Sequence, residues 1–326
     1  MRLETLPAAA AVGHILCHNL ADARGRKLFA KGRVVRTEDL PRLTELDITY
    51  LRVVVLEPGD VHEDSAAMRL ARAVAGPGVV ASVAHAGRVN LRASWIGPLQ
   101  LDPSTLLAIN TFDGMTVATR PSQQLVRAGE PVATIKIIPF AVPEADLRQV
   151  EALGDGQVLQ VAPLHLLRIG VLLVVSPAAR VRVEQGVYPA IIGRVTDLGG
   201  QVVAQLTVPP DETAVAAALA DLASTALDLI ITAGETSVVD LEDVIPRGIR
   251  MLGGRIVQYG APVEPGNLLL LAYLERPALA PLAVLGAPGC VRSRDLNVVD
   301  LLLPRLMAGQ SLTRHEIVAL GHGGLL

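Results

Sequence analysis

Aromatic residues are almost missing from this chain: three Phe, four Tyr and one Trp make up 2% of its 326 residues. That scarcity excludes the base-stacking platforms on which single-stranded nucleic acids are held. It also leaves any core to Leu, Val, Ile and Ala, because hydrophobic residues still reach 51%. Cysteine is equally scarce. Only Cys17 and Cys290 occur, with no C-x-x-C spacing and no disulfide framework, so a reducing cytoplasm is the expected compartment. Charge of one sign is lacking too: 29 Lys and Arg stand against 32 Asp and Glu, a net −3. There is no basic stripe for nucleic acid, and an anionic ligand must be met by local donors rather than by a global field. No apolar run approaches the roughly 18 residues of a membrane helix, and the N-terminus has no basic segment leading into an apolar one. The expectation is a soluble, unexported protein with neither a nucleic-acid nor a membrane partner.

What is present divides the chain. The length suits two ordinary domains or three small ones. Residues 1–75 read as a β-rich N-terminal unit: short apolar runs alternate with Gly and charged turns around a brief helix near Glu38 to Leu46. A second helix closes this unit, capped by Asp64, with Ala67, Leu70, Ala71 and Val74 on one face. Residues 76–140 read as a further β-rich unit whose Gly129-Glu130-Pro131-Val132 turn resembles an edge of the barrel-sandwich carriers, without their modifiable lysine. Residues 141–157, rich in charge, Pro and Gly, read as a linker holding one short helix.

From 158 to 326 the text changes to alternating strands and helices. Ile169 to Val175 and Gln201 to Val208 read as strands and Gly186 to Asp197 as a helix. Asp211 reads as the cap of a helix with Val215, Leu219 and Leu222 aligned. Alternation of this kind predicts an α/β fold with a doubly wound, mostly parallel sheet covered on both faces.

Within this part, Asp228 to Asp240, DLIITAGETSVVD, runs from an apolar strand into a Gly/Thr/Ser turn that ends on an acid. Ligands of open α/β sheets gather at the carboxyl ends of the strands, so Thr232, Gly234, Glu235, Thr236 and Ser237 are candidate ligand contacts. Glycine lets backbone approach a ligand, and hydroxyls and amides hold phosphate oxygens. Two more turns join them: Pro265-Gly266, ahead of the run Leu268 to Leu274, and Pro288-Gly289, after the run Pro281 to Leu285. Arg292 adds a guanidinium near what reads as a helix entry. Asp240, the acid at the rim of the first turn, is a candidate magnesium ligand. The bland readings are a helix-entry acid for Asp240 and a helix cap for Asp211. Cys290 reads as a small apolar filler, and His62-Glu63-Asp64 as a solvated triplet rather than a metal site.

The order strand, T-A-G-E-T-S, acid, V-E-P-G, strand, A-P-G resembles the molybdopterin-binding domain of molybdopterin molybdotransferases and adenylyltransferases. Across the whole length the chain looks like a group of proteins that pair this domain with a β-rich N-terminal region. Glu235 stands where the transferases carry a second glycine, Asn267-Leu268 where they have Lys-Pro, and Cys290-Val291 where they have Asn-Pro. The resemblance implies binding of molybdopterin or its adenylated form in molybdenum cofactor biosynthesis, with magnesium held by Asp240 and Asp211 and Asp240 as the catalytic residue. It implies a transferase that inserts molybdate or transfers a nucleotidyl group. The departures point instead to a non-catalytic carrier that delivers the cofactor to a molybdoenzyme or to other cofactor-synthesis proteins. A nucleotide pyrophosphate hydrolase is a third possibility on such a fold. The relatives assemble, so a homo-oligomer is expected.

Overall fold

The computed structural model describes residues 1–22, 24–277 and 279–325, and two compact units account for the chain. The first holds residues 1–95, 99–122 and 126–161, the second residues 96–98, 123–125 and everything from Ala162 onward.

The first unit is built on antiparallel sheets, as its short alternating runs predict. Arg2–Pro7 and Ile15–Leu16 flank Tyr50–Val55 in one sheet. A second has the order Met115–Thr119, Pro131–Ile137, Arg88–Ala93, Val79–Ala81. The helix Glu63–Val74 buries Ala67, Leu70, Ala71 and Val74, the face expected from their spacing, together with Ala66. Its cap is His62 rather than Asp64: the His62 Nδ1 accepts the Asp64 N–H at 3.2 Å, and the Asp64 carboxylate accepts the Gly87 N–H at 2.7 Å. The solvation expected for the His62-Glu63-Asp64 triplet does not extend to Glu63, which is 5% exposed and lies 3.4 Å from the Lys136 ammonium. The stretch 141–157 forms a strand, Ala141–Pro143, paired with Asp60–His62, and a helix, Glu144–Gly154, with Leu147 and Val150 buried. Arg69 on the neighbouring helix reaches both Glu144 (2.6 Å) and Glu151 (2.7 Å).

The second unit is a mixed α/β domain around a six-stranded sheet. Its order is Gln201–Val208, Arg168–Val174, Leu229–Gly234, Leu279–Gly286, Leu270–Arg276, Arg255–Tyr259. The first four strands are parallel, Leu270–Arg276 runs against them, and Arg255–Tyr259 pairs antiparallel with it and so runs in their direction again. Buried on both faces, the central strands are continuous apolar runs. Ile169, Val171, Ile231 and Leu285 belong to the core on one face, and Leu172, Ile230 and Val284 to the core on the other. The helix Arg180–Asp197 starts six residues earlier than its periodicity suggests and runs through Pro189. Asp211 caps the helix Glu212–Ala223 through its carboxylate, which accepts the Ala214 N–H at 2.9 Å.

One topological detail positions the site. Because Leu270–Arg276 runs against Leu279–Gly286 in the register Leu270↔Gly286, its beginning lies at the sheet end where the parallel strands finish. The Pro265-Gly266 turn precedes its strand and yet lies at the same end as turns that follow theirs.

Candidate functional site

The strand Leu229–Gly234 and the strand Leu279–Gly286 are parallel neighbours, with Thr232 opposite Gly286, so the turns that follow them emerge side by side. A direct bond joins them: the Gly289 N–H donates to the Ser237 Oγ at 2.7 Å. The Pro265-Gly266 turn meets the helix that follows the third turn. The Val298 N–H donates to the Pro265 carbonyl at 3.2 Å, and a Cβ on Gly266, where φ is +128°, would lie 2.4 Å from the Val298 Cγ1. Only glycine fits that approach. At Gly234 a Cβ would lie 2.9 Å from the Thr236 carbonyl, so the tight reversal after the strand also needs glycine.

Beside the first turn is a cavity of about 210 Å³, lined by Gly234 to Val238, by Val174 and Pro210, and by Asp243 to Ile245. Thr236 is exposed, while Gly234, Glu235 and Ser237 are half-buried. Ser237 takes the Gly289 N–H on an oxygen lone pair, which leaves its own proton free to donate. The Glu235 carboxylate accepts the Ser176 hydroxyl at 2.7 Å, and its N–H donates to the Val174 carbonyl at 3.3 Å. Thr232 is fully buried, and its hydroxyl has no hydrogen-bond partner among the described residues. It lies within the sheet rather than on the turn.

The acids have separate positions. Asp243 lines the cavity and closes the loop around it: its Oδ2 accepts the N–H groups of Val239 (2.7 Å) and Asp240 (3.1 Å). Asp240 is exposed, and its Oδ1 accepts the Glu242 N–H at 2.7 Å. Asp211 is exposed at its helix cap. Asp240 and Asp211 are not among the cavity's lining residues, and no cluster of three or more His, Cys, Asp or Glu suited to a metal is found among the described residues.

On the third turn, Pro288 is buried and Gly289 exposed. Arg292 is exposed at the end of a short 3-10 segment, Gly289–Arg292. The helix expected to begin there starts only at Val298, with Asn297 as its cap and Asp300 completing a capping box. The segment between is tied down by Arg194, which is 4% exposed. Its guanidinium donates to the carbonyls of Val291 (2.8 Å), Ser293 (2.7 Å) and Asp295 (3.0 Å) and to the Asp300 carboxylate (2.9 Å). Sequence reasoning missed Arg194 and Ser176. Neither carries a local signal, because their partners lie about 100 and 59 positions away. Burial pushes the Cys290 thiol above its ordinary range, which keeps it protonated near neutral pH and suits an apolar filler better than a nucleophile.

These elements define an α/β domain with three glycine turns gathered at one end of its sheet, two of them directly bonded and the third against the following helix. Residues 179–308 match the family model described as a probable molybdopterin binding domain, and the α/β part of the second unit is a domain of that family. The match spans less than half of the chain. Residues 5–54 match a model described only as a domain of unknown function. Solved structures similar to the chain include the tungsten cofactor synthesizing protein MoaB from Pyrococcus furiosus, 18% identical, covering 42% of this chain and 89% of that one at a TM-score of 0.31. The molybdopterin biosynthesis enzyme MoaB from Thermus thermophilus is 20% identical, covering 44% and 98% at 0.32. The molybdopterin biosynthesis moeA protein from Pyrococcus horikoshii OT3 is 11% identical, covering 94% and 74% at 0.27. No curated protein matches the chain.

Proposed function

We propose that the second unit binds molybdopterin, or its adenylated form, over the turns Gly234 to Ser237, Pro265-Gly266 and Pro288 to Arg292, and that the chain acts in molybdenum cofactor biosynthesis. The observation that carries this reading is the Gly289 to Ser237 bond, because it couples two strand-end turns and leaves a hydroxyl proton unspent at their junction. The residues fit the ligand's two chemical ends. The hydroxyls of Thr236 and Ser237 suit phosphate oxygens, and Arg292 adds an exposed cation. The carboxylates of Glu235 and Asp243 in the cavity suit the N–H edge of an amino-pyrimidine ring. About 210 Å³ takes part of such a ligand, the rest lying across the turns. When bound, the pterin supplies the sulfur pair that holds the metal. The protein's part is to bind and orient it.

Two uses of such a site are weighed by one feature. A transferase handling a magnesium nucleotide would hold the cation with Asp240 and Asp211, each of which has one carboxylate oxygen engaged in a local turn or cap. The Glu235 carboxylate, bonded to Ser176 where the transferases have glycine, adds negative charge beside the phosphate donors. It favours a carrier that holds the finished cofactor and passes it to a molybdoenzyme. A homo-oligomer belongs to the same proposal.

The test is incubation of the purified chain with molybdopterin, ATP, magnesium and molybdate, followed by assay of bound and converted pterin. Cofactor retained unchanged supports the carrier. An adenylated or metal-loaded product supports the transferase, and Asp240→Asn should then abolish turnover. No retention of pterin fluorescence by the protein would end the reading altogether.

A further inference from the structure

A second cavity, of about 300 Å³, lies on the second unit against the sheet edge Arg255–Tyr259, lined by Arg255, Val257, Tyr273, Pro281, Leu312 and Arg314, among others. It is separate from the strand-end cavity. Tyr273 and Val257 pack in the core on one face of the sheet, whereas Val174, Val238 and Ile245 of the strand-end cavity pack in the core on the other.

Charge is arranged unevenly around it. Glu316 is nearby, but its carboxylate is taken by the Arg305 guanidinium and by the N–H (2.9 Å) and hydroxyl (2.8 Å) of Thr313. Arg255 and Arg314 make no ion pair with any described residue. Arg255 instead sits over the Tyr273 ring, 5.5 Å from its centroid, and Tyr273 is itself fixed by its hydroxyl, which accepts the buried Leu312 N–H at 2.8 Å. The ring's negative face holds the cation beside it, and a guanidinium's N–H groups form a fork of the spacing that carboxylate and phosphate oxygens match. The remaining wall is apolar, through Ile256, Val257, Pro281 and Leu312. Cavities of this size lie at the small end of those that hold organic ligands.

We propose that this cavity is a binding site for a small organic anion: a carboxylate or phosphate monoester head gripped by Arg255 and Arg314, carried on a compact apolar body that rests on Tyr273 and Leu312. The site is independent of the pterin reading.

The experiment is isothermal titration of the full chain with phenyl phosphate, benzoate and inorganic phosphate. One of the two aromatic anions binds saturably, and the tighter one names the head group. Inorganic phosphate, without an apolar body, binds about tenfold more weakly or worse. The double variant Arg255→Gln, Arg314→Gln weakens the aromatic anion by at least about tenfold, through loss of charge-assisted bonds. Its urea midpoint stays where it was, because both side chains are exposed. Ser237→Ala, at the other cavity, leaves this binding unchanged. Binding undiminished in the arginine double variant, or abolished by Ser237→Ala, or absent for both aromatic anions up to millimolar concentration, overturns the proposal.

Discussion

Arg194 shows how one side chain can shape a loop it does not belong to. From the helix Arg180–Asp197 it donates to three carbonyls between Val291 and Asp295 and to Asp300, which a planar fork with five N–H groups can do and an ammonium cannot. Its burial would be costly without those partners. Arg194→Met should therefore destabilise the second unit by about 3–5 kcal/mol, because carbonyls and a carboxylate lose their donor together. Arg194→Lys should recover little of it. Urea unfolding followed by circular dichroism measures both. Thr232 poses the opposite case, a hydroxyl sealed inside without a partner among the described residues. Thr232→Val keeps the shape and removes the unsatisfied group, so stability should stay level or rise by about 1 kcal/mol. Retained pterin should be unchanged by it, since the site is built from the turn beyond. A clear loss of stability would mean that the hydroxyl has a partner in solution.

Helices, strands and turns were legible to different degrees. The central parallel strands could be read because burial on both faces demands unbroken apolar runs, as in Arg168–Val174 and Leu229–Gly234. The edge strand Gln201–Val208, with no buried residue, still begins and ends where expected. Turn glycines were legible for a similar reason: an uninterrupted apolar strand that stops at Gly implies a tight reversal at that point. Register was not legible. Nothing near Leu270 announces that its strand runs antiparallel, although that direction brings Pro265-Gly266 to the site. The Arg180–Asp197 helix was expected only from Gly186 onward, whereas packing of Val183 as well as Ala190, Ile191 and Val195 carries it from Arg180. The late helix start at Val298 had a readable signal in its capping box, Asn297 with Asp300, masked by the arginines before it. Two substitutions test these element ends. Gly266→Ala forces a Cβ to within 2.4 Å of Val298 at a φ of +128°, and should cost about 2–4 kcal/mol from combined strain and overpacking. At the Asp211 cap, Ala should cost about 1 kcal/mol and Asn almost nothing. If Asp211→Asn retains stability while abolishing a magnesium-dependent turnover, the cap and the cation role coexist in one carboxylate.

At the scale of the whole molecule, each unit has its own core, and the single Trp gives a probe confined to one of them. Trp95 belongs to the first unit, where its indole N–H donates to the Val161 carbonyl at 2.9 Å. That unit also contains two carboxylates lowered by one and the same arginine. Hydrogen bonds from Arg69, then Arg148, hold Glu144 down from 4.5 to about 2, and Arg69 lowers Glu151 as well. A carboxylate whose pKa is depressed on folding binds fewer protons in the folded chain than in the unfolded one. Its contribution is complete above the unfolded pKa of 4.5 and is lost as the pH falls from there toward about 2. Both groups move the same way, so the urea midpoint reported by Trp95 fluorescence should fall steadily over that acid range and stay nearly level above about pH 6. Arg69→Met removes the cause for both carboxylates at once, leaving Glu144 only its exposed partner Arg148. The variant should be less stable near neutrality, and its midpoint should depend less on pH below 4.5. An acid limb of unchanged slope in Arg69→Met would show that other carboxylates govern how this unit unfolds in acid.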